Sequence, residues 1–276
     1  MNKQSECGAA RIALVTGASS GIGKATAERL AMAGYRVYGT SRRETQPGNR
    51  SYEMLSLDVT CDESVDATVK GLMRLEGRID LLVNNAGIGI SPGGAEETSI
   101  EQAQWIFDTN FFGAVRMIRA VVPHMRNQRA GRILNIGSVL GFLPMPYVAL
   151  YVATKHAIEG YSESLDHELR TRGIRVSVIE PAYTKTGLDA NFSEPDSQLD
   201  EYREVRAALA ITIQEQIRAG DDPSVVADVI LHAATAIRPR LRYTAGNAAW
   251  RLQLLRRFSP VRIFDAGIRK DLKLDT

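Results

Sequence analysis

Short apolar runs alternate with helical segments along most of the chain, and that alternation leaves few folds open. Residues 12–15, 35–39, 54–57, 79–83, 132–136 and 176–179 read as buried strands, because their apolar residues are nearly continuous. Between them, segments such as 62–75 and 100–125 carry apolar residues at helical spacing. Units of this kind build a parallel sheet with helices on both faces, and ligands gather at the C-terminal ends of its strands. The expectation is an α/β protein with a doubly wound parallel sheet, one domain over residues 1–276.

The first strand runs into Thr16-Gly17-Ala18-Ser19-Ser20-Gly21-Ile22-Gly23 and then into a helix. Strand, glycine-rich turn and helix present backbone N–H groups and a helix N-terminus to a phosphate, as in Rossmann-like dinucleotide sites. Gly17, Ser19, Ser20, Gly21, Ile22 and Gly23 are the candidate contacts. The end of the second strand, Thr40-Ser41-Arg42-Arg43, has no acid to accept a ribose 2′-hydroxyl. Two hydroxyls and two arginines suit a 2′-phosphate, since a guanidinium pairs with phosphate in a fork. NADP is favoured over NAD, with Ser41 and Arg42 ahead of Arg43. Asp58-Val59 ends the third strand, to accept an adenine amino group or to cap the next helix. Asn85, Ala86 and Gly87 turn the chain after the fourth strand, where Asn84 reads as a tie between strands. Pro181, Thr184 and Thr186 follow the sixth, with hydroxyls placed for a cofactor amide or phosphate.

Proton-transfer chemistry points to Ser138, Tyr151 and Lys155. A phenol is a poor base at neutral pH unless its anion is stabilised. On a helix, Lys155 lies one turn from Tyr151 on the same face, where a positive charge lowers the phenol's pKa. Ser138 leaves the fifth strand toward the same spot, where its hydroxyl can hold a substrate oxygen. Asn110 interrupts the segment 100–125 as a local kink or a buried hydrogen bond.

Past the sixth strand the alternation stops. Tyr202, Val205, Leu209, Ile213 and Ile217 recur at helical spacing within 187–222, a substrate lid or a plain surface helix. Pro223 opens another helix, and 240–244 reads as a last strand. The tail, 245–276, mixes leucines and phenylalanines with arginines, which gives a helical extension over the cleft or a subunit contact. A membrane contact by this tail is the weaker reading. A net charge of +2 is too small to imply a polyanionic partner, and no nucleic acid is expected. Cys7 and Cys61 lack metal-ligand spacing and read as free thiols, and no metal site is expected. Residues 1–10 have no signal-peptide core and read as a disordered N-terminus, and no apolar run is long enough to span a bilayer, so the default is soluble and cytoplasmic.

Taken together, the motifs resemble the short-chain dehydrogenase/reductase family over residues 11–186. Thr16 to Gly23 is similar to its cofactor motif and Asn84-Asn85-Ala86-Gly87 to its sheet-stabilising motif. Asn110, Ser138, Tyr151 and Lys155 fall where that family carries its catalytic tetrad. The resemblance implies that Tyr151 is the general acid/base and that Ser138 holds the substrate oxygen. It further implies that Lys155 lowers the tyrosine pKa and binds the nicotinamide ribose, while Asn110 holds a water. Tyr151 and Lys155 therefore count among the cofactor contacts as well. Ala182 departs from the family's usual glycine after Pro181. The ending around Arg242–Gly246 and the basic tail look more like the steroid- and retinol-dehydrogenase branch. The activity implied is NADP(H)-dependent interconversion of a secondary alcohol and a ketone or aldehyde on an apolar small molecule. The alternatives are a 3-oxoacyl thioester reductase and a non-catalytic NADP-binding sensor. The family also suggests a homodimer or homotetramer through the helices carrying Asn110 and Tyr151.

Overall fold

The structure, a computed structural model, describes residues 10–42, 50–187, 192–272 and 274. Cys7, Arg43 and the disorder expected before residue 10 lie outside the described residues, and Cys61 is a free thiol.

The strands are β1 (Ile12–Val15), β2 (Arg36–Ser41), β3 (Glu53–Ser56), β4 (Leu81–Asn84), β5 (Gly131–Ile136), β6 (Ile174–Pro181) and β7 (Arg242–Ala245). They form a 7-stranded sheet in the order β3-β2-β1-β4-β5-β6-β7, and every neighbouring pair is parallel. The order reverses direction between β1 and β4, so the crevice of a doubly wound sheet opens at the C-terminal ends of these two strands.

Helices cover both faces. Ala13 and Val15 point to the side of α1 (Gly21–Met32) and α7 (Pro223–Thr235), where they meet Ala27, Leu30, Val226 and Ile230. Ile12 and Leu14 point to the side of α2 (Asp62–Glu76) and α4 (Gly113–Gln128), where they meet Val65, Val69, Met117 and Val121. This two-sided burial explains why the strands read as continuous apolar runs. Each fully buried Leu, Ile or Val side chain contributes about 1.5–3 kcal/mol. The tie expected of Asn84 is present: its Nδ2 donates to Asn135 Oδ1 on β5 at 2.8 Å, and Asn135 Nδ2 donates to Ser162 Oγ at 2.8 Å.

One element differs from its expectation in a way that matters. Residues 100–125 do not form a single helix. α3 (Ile100–Phe107) passes through a π-turn, Asp108–Phe112, into α4. Asn110 sits in that turn. The later elements are α5 (Ala149–Leu169), α6 (Arg203–Ala219), α8 (Asn247–Phe258) and α9 (Val261–Asp271), so the tail is two helices joined at Ser259-Pro260.

Candidate active site

The turn after β1 is fastened to the turn after β4. Thr16 Oγ1 accepts from the backbone N–H groups of Asn85 at 2.9 Å and Ala86 at 3.0 Å. Asn85 Nδ2 donates back to the carbonyls of Thr16 at 2.9 Å and Gly17 at 3.1 Å. Gly17 has φ +67° and Gly21 φ +54°, where any other residue is strained. A Cβ on Gly23 would collide with Gly17 O and come within 2.5 Å of Asn85 Nδ2. Ser19 and Ser20 are exposed above this bare backbone, and Ser20 N-caps α1 without a side-chain cap bond. Thr186 closes the other side, its Cβ 3.2 Å from where a Gly21 Cβ would stand. Backbone laid bare in this way, beside a helix N-terminus, is shaped for a dinucleotide pyrophosphate.

The other expected cofactor contacts divide. Ser41 is the last residue of β2, and exposed Arg42 follows it at the same sheet edge. Asp58 serves its own turn: Oδ1 accepts from Thr60 N at 2.9 Å and Thr60 Oγ1 at 2.7 Å. Burial tends to raise the Asp58 pKa, but those bonds and the nearby Arg42 charge hold it below the ordinary carboxylate range. Val59 is buried against Gly113. Thr184 is buried, and its hydroxyl donates to Ala182 O at 3.1 Å, a partner within its own turn.

Ser138, Tyr151 and Lys155 converge where β5 gives way to α5. Lys155 Nζ donates to Ile136 O at 3.0 Å and lies 5.5 Å from the centroid of the Tyr151 ring. Ser138 Oγ accepts from Leu140 N at 3.1 Å, which leaves its proton to donate. Asn110 Oδ1 accepts from Ile88 N at 2.8 Å, while its Nδ2 donates to Ile88 O at 2.9 Å and Thr154 Oγ1 at 3.4 Å. Thr154 Oγ1 in turn donates to Tyr151 O at 2.7 Å. Asn110 thus clamps the loop after Gly87 to the first turn of α5, and the π-turn is what aims it there.

The electrostatics differ from the expectation that Lys155 lowers the Tyr151 pKa. Burial pushes the phenol up to about 12. Burial also pushes the Lys155 ammonium down to about 8, against the opposing pull of Glu159. Both side chains are half-buried, and water at their open edge tempers these shifts. With the ammonium turned to a carbonyl, Tyr151 is held as a neutral phenol, the form that can give a proton.

Glu159, one turn beyond Lys155, was not a sequence candidate. It is buried beneath Ser138's loop, with Oε1 2.6 Å from where a Gly137 Cβ would stand and Cγ 2.7 Å from that of Gly141. Arg242 reaches Glu159 at 3.2 Å, Glu163 at 2.7 Å and Glu180 at 3.0 Å. Burial, then the neighbouring carboxylate, raises the Glu159 pKa.

Apolar groups from distant segments wall the space around Tyr151. Met145, Val148, Ile213 of α6, Phe192 and Leu272 share one cluster with it. Ile88, Ile90 and Ile106 form a second against the same ring. α6 is anchored by buried Glu97, which accepts from Gly94 N at 2.6 Å and Leu199 N at 2.6 Å and pairs with Arg206. Leu252 of α8 and Phe264 of α9 pack with Val139 and Leu143 beyond Ser138. A cavity of about 410 Å³, lined in part by Gly94, Tyr147, Tyr202, Arg269 and Leu274, opens beside this wall rather than over Tyr151.

A family model described as short chain dehydrogenase matches residues 11–197. The 3-ketodihydrosphingosine reductase of Bacteroides thetaiotaomicron is 38% identical over 238 residues, 86% of this chain and 88% of that protein. Retinol dehydrogenase 8 of Bos taurus is 35% identical over 258 residues, 85% of this chain and 81% of that one. Among solved structures, a short-chain dehydrogenase from Streptomyces avermitilis superposes with a TM-score of 0.81 at 32% identity, covering 98% of this chain and 99% of the other. One from Burkholderia phymatum in complex with NAD gives 0.79 at 26% identity over 94% and 95% of the two chains. A serine dehydrogenase complexed with NADP+ gives 0.73 at 28% identity over 84% and 93%.

Proposed function

Since the chain belongs to the short-chain dehydrogenase family, and is an oxidoreductase by that membership, we propose that it uses NADP(H) to interconvert a secondary alcohol and a ketone or aldehyde on an apolar molecule. The observation that carries this reading is the Tyr151 phenol, one turn from Lys155 and packed among apolar side chains that include Met145, Val148, Ile213 of α6 and Leu272. The names of the two relatives, a 3-ketodihydrosphingosine reductase and a retinol dehydrogenase, denote substrates with long apolar bodies and agree with such a wall.

A nicotinamide dinucleotide held in this crevice would supply the hydride for the carbonyl carbon. Tyr151 gives its proton to the developing alkoxide, and the Ser138 hydroxyl donates a hydrogen bond to the same oxygen. Lys155 holds the region beneath Tyr151 and contacts the ribose. Asn110 keeps the loop at Ile88 and the start of α5 in register. Gly17, Ser19, Ser20, Gly21, Ile22, Gly23 and Thr186 hold the pyrophosphate side. Asn85, Ala86, Gly87 and Pro181 line the crevice between the strand ends. Ser41 and Arg42 hold the 2′-phosphate. Asp58 and Val59 border the adenine, and Thr184 supports its loop from within.

Titration with NADPH and NADH, followed by nicotinamide fluorescence, tests the cofactor. Preference for NADPH that disappears in Arg42→Ala supports it, and equal affinity in the unaltered protein refutes it. Tyr151→Phe should lower turnover by about 10²–10⁴-fold, the usual worth of a general acid, with dinucleotide affinity unchanged. A panel of long-chain ketones and retinoids against 3-oxoacyl thioesters decides the substrate class.

A further inference from the structure

The joint between α8 and α9 carries apolar side chains turned outward. Phe258 and Val261 are each 73% exposed and Ile263 66%, with Leu255 and Trp250 also more than half exposed. Single exposed apolar residues are ordinary, but a run of them at a helical elbow is not. The same two helices turn Leu252 and Phe264 inward against Val139 and Leu143, so the core already has its share and the outer face is surplus to folding.

The charges around this face have one sign. From Trp250 to Ile263 the chain carries Arg251, Arg256, Arg257 and Arg262 and no acid. Asp265, one turn past Val261, marks the edge. Arg257 lies 5.5 Å over the exposed Phe258 ring, which keeps its guanidinium group level with that aromatic side chain. A second copy of the chain meeting this face about a two-fold axis would set arginines against arginines. An anionic bilayer surface satisfies both features, taking the apolar side chains at the acyl boundary and the arginines among the headgroups. Among the described residues no helix is long and apolar enough to cross a membrane, so a surface contact is the geometry available.

We propose that the α8–α9 elbow docks on an anionic lipid surface, with Phe258 and Val261 inserted, Ile263 flanking them, and Arg251, Arg256, Arg257 and Arg262 on the headgroups. The docking itself does not depend on the proposed activity. Its use does: α9 begins at this face and ends beside Leu272, which packs in the wall around Tyr151. Its length of about 16 Å, at the rise of an α-helix, then separates the bilayer from the cleft.

Flotation of the full chain with vesicles of phosphatidylcholine, alone or with about 30 mol% phosphatidylglycerol, tests this. The fluorescence of Trp250 in a Trp105→Phe background gives an independent reading. Binding at least about tenfold stronger to the anionic vesicles, a blue shift of Trp250 and loss on adding salt are expected. F258E/V261E and R256E/R257E should each lower binding about tenfold or more with dinucleotide affinity unchanged, which shows that both variants are folded. Failure of the unaltered protein to float with anionic vesicles overturns the inference, as does F258E/V261E floating equally well. A lower mass of F258E/V261E in light scattering, without vesicle binding by the parent, assigns the face to a second copy and also overturns it. None of these outcomes bears on whether Tyr151 acts in catalysis.

Discussion

The crevice between β1 and β4 and the wall around Tyr151 are built by opposite means. The crevice is polar, local and rigid. Thr16 and Gly17 exchange hydrogen bonds of 2.9–3.1 Å with Asn85 and Ala86 across the switch point, and glycines leave no room for adjustment. The wall is apolar and assembled from far apart in the chain: Ile88, Met145, Phe192, Ile213 and Leu272 all approach one region. A site that accepts one invariant ligand tolerates rigidity, whereas a surface of aliphatic side chains adapts to shape and discriminates weakly. Each extra methylene in such a pocket is worth only about 1–3 kcal/mol.

The comparison breaks most sharply at Gly23. A methyl group there meets Gly17 O and Asn85 Nδ2, and neither can retreat without undoing the strand ties. Gly23→Ala should therefore cost about 1–3 kcal/mol, the usual penalty of overpacking, in dinucleotide affinity or in stability. Calorimetric titration together with a melting curve reads it. An unaffected variant would mean that the crevice is softer than its hydrogen bonds indicate.

Truncating the wall should do less and do it elsewhere. Ile213→Ala with Ile217→Ala removes buried aliphatic bulk beside Tyr151 without touching a polar group. KM for a long-chain ketone should rise about tenfold or more per side chain, while KM for NADPH stays put. A change confined to NADPH would show that α6 covers the cofactor rather than the substrate.

This division also decides what the sequence made legible. The glycine turn, the sheet and the Tyr151–Lys155 pair follow from spacing, because strand, turn and helix geometry are local. Asn84's tie to Asn135 was readable for the same reason. The π-turn was legible only as a kink or a buried hydrogen bond at Asn110, since Asp108–Phe112 is ordinary helix by composition and its cause, the clamp of Asn110 on Ile88, lies in another segment. Glu97 and Glu159 went unnoticed because an acid in an amphipathic stretch looks solvated until the fold buries it. Their partners, Leu199 and Arg206 for one and Arg242 for the other, lie many residues away. Asp58 read as an adenine contact or a cap and Thr184 as a cofactor contact, and each also makes a bond within its own turn that position alone did not show. Gly89 and Phe192 pack in direct contact, which neither segment's sequence announces.

A further expected effect tests where the two regions meet. Lys155 is pushed down from its ordinary 10.5 to about 8, so folding disfavours its charged form. Between these two values the unfolded chain holds a proton that the folded chain has released. Stability contributed by this residue should then rise with pH from about 8 towards 10.5 and be flat below, where both states are protonated. Tyr151, raised from 10.0 to about 12, works the other way and erodes stability above pH 10. Urea midpoints for the parent and Lys155→Met isolate the lysine, because Tyr151 and the surface lysines are common to both. The difference between the two proteins should therefore shift in the parent's favour as pH rises past about 8. A difference constant with pH would mean that water at the open edge of the cleft solvates the ammonium fully. A difference moving the other way would mean that Glu159, with Glu180 and Arg242 behind it, keeps the lysine charged in the folded protein.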